Sequence, residues 1–256
     1  MKRLILSLLI CFFGVGCATV YNPATGRKEF IFIDTSQEVA MGKNVHQQIS
    51  KEFKISSRYD QVERLRGIGA RLAGVSDRQD YEYHFYLVEE KQLNAFTTPG
   101  GNIYFFSGLL DQLKTDDQIA AVLSHEIGHC AARHTVKKFQ AALGYNLLST
   151  LIFSQVGGAE ETRQTAALAS NTAMQLAMSA YGRKDEYEAD KLGVKYMYLA
   201  GYNLNGMIET LEVLERESKG GYTPLILRTH PYVEDRIKAV REEVKLAKEK
   251  YQKKGQ

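Results

Sequence analysis

The residues with the clearest chemical potential are Ser124-His125-Glu126-Ile127-Gly128-His129, which contain the pattern HExxH. Side chains four residues apart lie on one face of an α-helix, so His125 and His129 can bind the same metal ion. Two imidazole nitrogens, a third protein ligand and a water molecule are typical of a catalytic zinc site. Glu126 lies about 100° around the helix, beside that water, where it can act as the general base. The motif therefore predicts a zinc hydrolase with one Zn²⁺ per chain.

The third ligand must come from another part of the chain, and its position distinguishes the classes of zinc peptidase. The HxxGxxH continuation of the metzincins is absent, because the next histidine is His134, expected about 140° away from the ligand face of one continuous helix. The acidic run 185–190 is the better candidate, since Glu186 and Asp190 share one face of a predicted helix. Glu186 can bind zinc there, while Asp190 accepts the N–H of a ligand histidine and fixes its tautomer. An isolated acidic turn would otherwise be a solvated surface.

Hydrophobic periodicity and capping signals place these residues in a mainly helical α+β fold with a small sheet. Helices are predicted at residues 35–54, 58–73, 115–142, 163–180, 185–199 and 204–218, with a last one after Pro231. Two of them begin with the capping-box sequences Thr35-Ser36-Gln37-Glu38 and Thr115-Asp116-Asp117-Gln118. Alternating residues predict a strand from Tyr81, and the apolar runs of 93–106 predict a hairpin or a sharp loop between strands.

Four blocks of the sequence resemble the gluzincin metallopeptidase family that includes HtpX and the CAAX prenyl protease (peptidase family M48). The blocks are Asn94-Ala95-Phe96 before Pro99-Gly100-Gly101, His125 to His129, Glu186-Tyr187-Glu188-Ala189-Asp190 with Gly193, and Thr229-His230-Pro231 with Arg236. They follow the family's order, and the similarity extends from about residue 20 to residue 245. The resemblance implies a zincin-like metallopeptidase domain. It also implies that the third zinc ligand is Glu186 and not Glu188.

The resemblance suggests roles for the remaining blocks. Asn94, Ala95 and Phe96 would lie in the sheet edge beside the cleft, where an extended peptide substrate can add as a strand. Asn94 could also hold the scissile carbonyl. His230 would face Glu126 and stabilise the oxyanion, or it would bind zinc as a fourth ligand in a resting state. The alternative is that His230 is a turn residue that caps the last helix.

The N-terminus predicts an export signal that ends in a lipidation site. A short basic start precedes the mostly apolar residues 4–15, a stretch too short to cross a membrane. The following Gly16-Cys17-Ala18 resembles a bacterial lipobox. We therefore expect residues 1–16 to be a signal peptide and Cys17 to carry the lipid, with plain secretion as the alternative.

The expected domain organisation follows from this N-terminus. Residues 17–34 would form a lipidated N-terminus and tether, and residues 35–256 the zinc metallopeptidase domain. By resemblance to enterobacterial lipoproteins, Ala18 after the cysteine favours the outer membrane, with the domain facing the periplasm. Cys130, beside the HExxH motif, is expected to be a small buried residue without reactivity.

Composition excludes several other classes of function. Lys and Arg number 33 against 30 Asp and Glu, a balance that argues against binding nucleic acid through bulk charge. Away from the N-terminus no long apolar run predicts a multi-span membrane protein. In this the sequence differs from the integral-membrane members of the family it resembles, and prenylated peptides are therefore not the expected substrates. We expect a zinc endopeptidase that uses a zinc-bound water and Glu126 as general base to hydrolyse misfolded or misassembled envelope proteins. The alternative is an outer-membrane protein assembly factor or holdase with a largely closed protease site.

Overall fold

The fold is taken from a computed structural model that describes residues 19–144, 175–220 and 223–252. The predicted signal peptide, Cys17 and most of the predicted helix 163–180 lie outside the described residues. Within the described residues, no helix combines the length and the apolar character that a membrane span requires.

The described elements confirm a mainly helical α+β fold. The strands are β1 (Thr19–Asn22), β2 (Arg27–Phe30), β3 (His84–Val88), β4 (Ala95–Thr98) and β5 (Asn102–Phe106). The helices are α1 (Thr35–Glu52), α2 (Tyr59–Ala73), α3 (Ser107–Gln112), α4 (Asp116–Ala131), α5 (Arg183–Leu199), α6 (Asn205–Ser218), α7 (Leu225–Thr229) and α8 (Val233–Gln252). Residues 134–144 are also helical. β1 and β2 form a separate antiparallel hairpin, which occupies most of the predicted tether.

The main sheet has the order β3-β5-β4, with β3 parallel and β4 antiparallel to β5. The hairpin between β4 and β5 is as predicted. Its turn needs Gly100 and Gly101, whose φ angles of 75° and 74° lie in the left-handed region. The backbone N–H of Gly100 donates to the Glu38 carboxylate at 3.2 Å, which joins this turn to α1. β4 therefore lies at one edge of the sheet, next to α4.

Helix α1 begins where the sequence predicts, but a different residue caps it. Asp34 accepts from the Gln37 backbone N–H, and the Gln37 side chain accepts from the Asp34 N–H. The predicted pairing of Thr35 with Glu38 is therefore wrong by one residue. The physical reason is that Glu38 is buried and paired with the buried guanidinium of Arg78, so it is not available to cap the helix.

Helix α4 carries the HExxH motif and ends much earlier than predicted. Thr115 caps its start as expected, accepting from the Gln118 N–H at 3.2 Å. The helix stops at Ala131 because Arg133 adopts a φ of 57°, which turns the chain out of the helical path. Helical structure resumes at residue 134. The prediction of one helix to residue 142 is wrong, and so is the expected position of His134 far from the ligand face.

Helices α4 and α5 approach each other so closely at two glycines that a side chain at either position would be crowded. A Cβ atom at Gly128 would lie 2.7 Å from the Ala189 carbonyl oxygen. On the opposite helix, a Cβ atom at Gly193 would lie 3.1 Å from the Ser124 hydroxyl and 3.2 Å from the His125 backbone nitrogen. The two glycines let α5 bring its acidic face directly against the histidines of α4.

A glycine-to-alanine change should have opposite effects on stability at this contact and at an open helical position. Gly128→Ala should lower the free energy of unfolding by about 1–3 kcal/mol, because it overpacks the contact between the helices. Gly67→Ala is the matched control: Gly67 lies within α2 with no atom near its Cβ position, so alanine should stabilise the protein by about 1 kcal/mol. Urea denaturation measures both changes. Equal stability of the two variants would contradict the importance of the close approach.

Candidate metal centre and active site

Four side chains from three parts of the fold converge beside α4. His125 and His129 come from α4, Glu186 from α5, and His230 from the residue directly after α7. Each offers one ligand atom, and these atoms all lie within 4.8 Å of one another. All four residues are at most 5% exposed. The sequence predicted that these residues would come together.

The atoms that face each other are those a metal ion would bind. The Nε2 atoms of His125 and His129 are 3.1 Å apart, and Nε2 of His129 is 3.4 Å from the Glu186 carboxylate. Nδ1 of His230 lies 3.1 Å from the same carboxylate and 3.3 Å from Nε2 of His125. Imidazole nitrogens together with one carboxylate are a donor set that suits Zn²⁺. The residues present therefore fit zinc.

Asp190 lies where the sequence predicted, behind the first histidine. Its carboxylate is 2.7 Å from Nδ1 of His125, so this nitrogen donates to Asp190 and leaves Nε2 free to bind a metal. One turn earlier on the same helix, Glu186 presents its carboxylate to the cluster. The i, i+4 spacing of the two acids thus places one carboxylate in the cluster and the other against the ring of His125.

Arg236 of α8 joins both carboxylates, a role that the sequence pattern did not reveal. Its guanidinium donates twice to Asp190, each time at 2.7 Å, and lies 2.6 Å from the Glu186 carboxylate. Burial alone would raise the pKa of Glu186, but Arg236 holds that pKa well below its usual range. Burial would likewise raise the pKa of Asp190, but Arg236 lowers it. Both acids are therefore held in the charged form that metal binding requires.

Glu126 points toward this centre without a hydrogen bond of its own. Within the described part of the chain, neither of its buried carboxylate oxygens has a hydrogen-bond partner. One of them lies 3.4 Å from Nε2 of His230. Burial raises the pKa of Glu126, although the neighbouring His230 and His125 oppose the shift. An unpartnered carboxyl group beside a metal-binding cluster is free to exchange a proton with a bound substrate or water.

The residues predicted to bind substrate lie close to the centre but are buried. The Asn94 side chain accepts a hydrogen bond from the Thr229 hydroxyl at 3.4 Å. Thr229 directly precedes His230 in the sequence. Ala95 belongs to the main hydrophobic core on one face of the sheet. Phe96 points to the opposite face, where its ring stacks on that of Tyr104. The side chains of Ala95 and Phe96 are thus occupied by packing.

Cys130 follows His129 but faces away from the metal cluster, as expected for a structural residue. Its sulfur lies 2.9 Å from the Thr97 hydroxyl. Burial raises the pKa of Cys130 to about 12, so the thiol stays protonated near neutral pH.

The structure adds three residues near the cluster whose contacts the sequence pattern did not indicate. Tyr181 stacks on the His129 ring with centroids 3.8 Å apart, and the Lys138 ammonium lies 3.7 Å from the centre of the Tyr181 ring. His134 lies behind His129 with their Nδ1 atoms 2.9 Å apart. None of these contacts follows from helical periodicity, because Tyr181 precedes α5, whereas His134 and Lys138 follow the break after α4.

A sequence model of peptidase family M48 matches residues 60–244. The chain belongs to this family, which uses zinc, and the resemblance expected from the four sequence blocks is confirmed.

Three curated relatives extend the comparison. Mitochondrial metalloendopeptidase OMA1 of Schizosaccharomyces pombe is 26% identical over 87% of the chain and 65% of the relative. The beta-barrel assembly-enhancing protease of Escherichia coli K12 is 26% identical over 84% of the chain and 45% of the relative. Metalloprotease LoiP of the same strain is 29% identical over 71% of the chain and 69% of the relative. The chain thus spans less than two thirds of the first two relatives.

The geometry predicts the metal content of the protein and of two variants. The purified protein should contain about one zinc ion per chain, and His129→Ala should lose it because two ligands from α4 are needed. Asp190→Ala should weaken zinc affinity by about 10–100-fold, since it removes the support of His125. His46→Ala is the control, because His46 lies on α1 and contacts Tyr104 instead. Zinc analysis after dialysis measures all four proteins, and full retention of zinc by His129→Ala would refute the ligand assignment.

Proposed function

We propose that this protein is a zinc-dependent endopeptidase, in which His125, His129 and Glu186 hold the metal and Glu126 is the general base. The observation that carries the proposal is the unpartnered carboxylate of Glu126 beside a buried ligand cluster, in a chain that belongs to a peptidase family. A purely structural metal site would have no use for a free carboxylate there. The metalloendopeptidase named among the relatives supports the same activity.

The proposed mechanism assigns a separate task to each side chain. Zinc, when bound, supplies Lewis-acid polarisation of the peptide carbonyl and acidifies water. Glu126 accepts the proton of the attacking water and then delivers it to the departing amine. Asp190 and Arg236 keep His125 and Glu186 in fixed orientations, so that little reorganisation is needed during the reaction.

The proposed substrates are misfolded or misassembled envelope proteins. One relative is named for enhancing the assembly of β-barrels, and it matches 84% of this chain. Unfolded segments of such proteins are extended, and β4 is an edge strand to which an extended segment could add once the residues that bury β4 move aside. The Asn94 side chain is also buried, so it would contact the substrate only after its hydrogen bond with Thr229 is released. Ala95 and Phe96 would contribute through their backbone, since their side chains are packed inside.

Replacement of the general base tests the proposed activity. The protein should cleave a urea-unfolded outer-membrane β-barrel protein after dilution of the urea, and Glu126→Gln should abolish cleavage while zinc content stays unchanged. The amide keeps the shape of the side chain but cannot accept the proton. Glu217→Gln, an exposed position on α6, is the matched control and should cleave normally. Cleavage by Glu126→Gln at the wild-type rate would exclude Glu126 as the base.

A holdase or assembly factor is the second candidate, and the burial of the centre is the observation that favours it. The ligand residues are almost inaccessible, with Tyr181 stacked over His129. A protein of this kind would suppress aggregation of the unfolded β-barrel protein without cutting it. Equal suppression by the wild type and Glu126→Gln, with no fragments from either, would support the holdase and contradict the endopeptidase.

The position of His230 supports the proposal that it closes the site at rest as a fourth ligand. Nδ1 of His230 belongs to the ligand cluster and lies 3.1 Å from the Glu186 carboxylate. His230→Ala should therefore cleave faster than the wild type, because it opens a position on the metal. A rate lowered by about 10²–10³-fold would instead identify His230 as the oxyanion stabiliser. Unchanged cleavage with a lower melting temperature would make it the structural turn residue.

We also propose that the protein is attached to the bacterial envelope by lipid at Cys17, at the outer membrane and facing the periplasm. The role in β-barrel assembly that one relative's name gives and the lipobox-like sequence support this location. Cys17→Ser should release the protein from membranes or leave its precursor uncut. Mass spectrometry of the native N-terminus decides the matter, and an unmodified start at or after Ala18 would refute lipidation.

A further inference from the structure

His134 makes a contact with the metal centre that the family's catalytic pattern does not explain. The break after α4 turns His134 back toward the helix, so that its Nδ1 atom lies 2.9 Å from Nδ1 of His129. His134 is buried, and its other ring nitrogen faces the Glu188 carboxylate at 3.2 Å. A second carboxylate, that of Asp185, lies 3.5 Å from the same nitrogen.

The geometry determines which atom carries each proton. His129 directs Nε2 at the ligand cluster, so a metal bound there requires the proton of His129 to be on Nδ1. That N–H can only donate to Nδ1 of His134, which must then be an unprotonated acceptor. His134 therefore carries its proton on Nε2 and donates it to Glu188. From His129 through His134 to Glu188, each donor therefore has one acceptor.

The path continues to the N-terminal hairpin. The Arg27 guanidinium of β2 donates to the same Glu188 oxygen at 2.8 Å. A second contact fastens the hairpin to the break itself: the Lys137 ammonium donates to the Glu29 carboxylate at 2.8 Å and to the Ala132 carbonyl at 2.9 Å. Arg27 and Glu29 lie outside the residues 60–244 that match the family. The hairpin thus holds both the acceptor of His134 and the turn that carries it.

We propose that His134 is a positioning residue that fixes the tautomer and orientation of the ligand His129, and that the β1–β2 hairpin supports it through Arg27 and Glu188. His134 would serve His129 as Asp190 serves His125, so that each histidine of the HExxH motif has its own hydrogen-bond acceptor. The inference rests on the proposed metal site and adds to it a set of residues contributed by the N-terminal hairpin.

Zinc affinity of the full chain tests the inference, measured by competition with a chromophoric chelator. His134→Leu removes the acceptor and should weaken zinc binding by about 10–100-fold. His134→Gln should restore most of the affinity, because its side-chain carbonyl can accept from His129. A residue needed only for packing would not show this rescue, and the melting temperature of the zinc-free protein is recorded for each variant.

A surface variant keeps the test valid if changes at the buried His134 prevent folding. Arg27→Ala should weaken zinc binding by about two- to five-fold, the effect expected from a partly exposed ion pair. Arg241→Ala removes a similar ion pair, with Glu212, far from the path and should leave zinc affinity unchanged.

The outcomes separate this inference from the proposed function. If the wild-type protein does not bind zinc, the proposed metal centre fails and the inference fails with it. If the wild-type protein binds zinc tightly and both His134→Leu and Arg27→Ala bind equally tightly, only the inference is overturned. Equal weakening by His134→Leu and His134→Gln also overturns it, because the hydrogen bond would then have no part in the effect.

Discussion

The contact between α4 and α5 at Gly128 is the constraint on which the rest of the site depends. With only hydrogen at this position, the backbone of α5 reaches the helix that carries the histidines. Glu186 and Asp190 lie one turn apart on one face of α5, and both carboxylates can then contact the ring of His125. A wider spacing of the helices would separate the carboxylate ligand from the imidazoles, whatever the remaining sequence. The glycine inside the motif is therefore as much a part of the site as its histidines.

Bringing these helices together concentrates negative charge in a dry interior. Glu126, Glu186 and Asp190 are all buried, and Arg236 is the cation that contacts two of them. When all three acids are ionised, Arg236 balances only one of their negative charges, and uncompensated charge is costly inside a protein. A divalent cation among neutral imidazoles supplies that compensation. The charge of the centre thus points to the same conclusion as its ligand geometry.

The sequence predicted the parts of the site that depend on local spacing, and it missed those that depend on where separate segments meet. The i, i+4 pairs of α4 and α5 follow from helical periodicity, and the family resemblance distinguished Glu186 from Glu188. The break at Arg133 was not predictable, because a positive φ at arginine is imposed by its surroundings rather than by its own preference. The contacts of His134 depend entirely on that break, so they were missed as well.

The segments that cover the centre differ from those that hold it. The Tyr181 backbone N–H donates to the Thr229 carbonyl at 3.0 Å, so the segment before α5 is joined to the last residue of α7 beside the site. His230 follows Thr229 and therefore belongs to this covering layer, although it also reaches the ligand cluster. His125, His129 and Glu186 lie instead on long helices packed against each other. Within the described residues, the layer that covers the cluster is thus formed by segments joined through single backbone contacts, whereas His125, His129 and Glu186 are held by two helices that pack along their length.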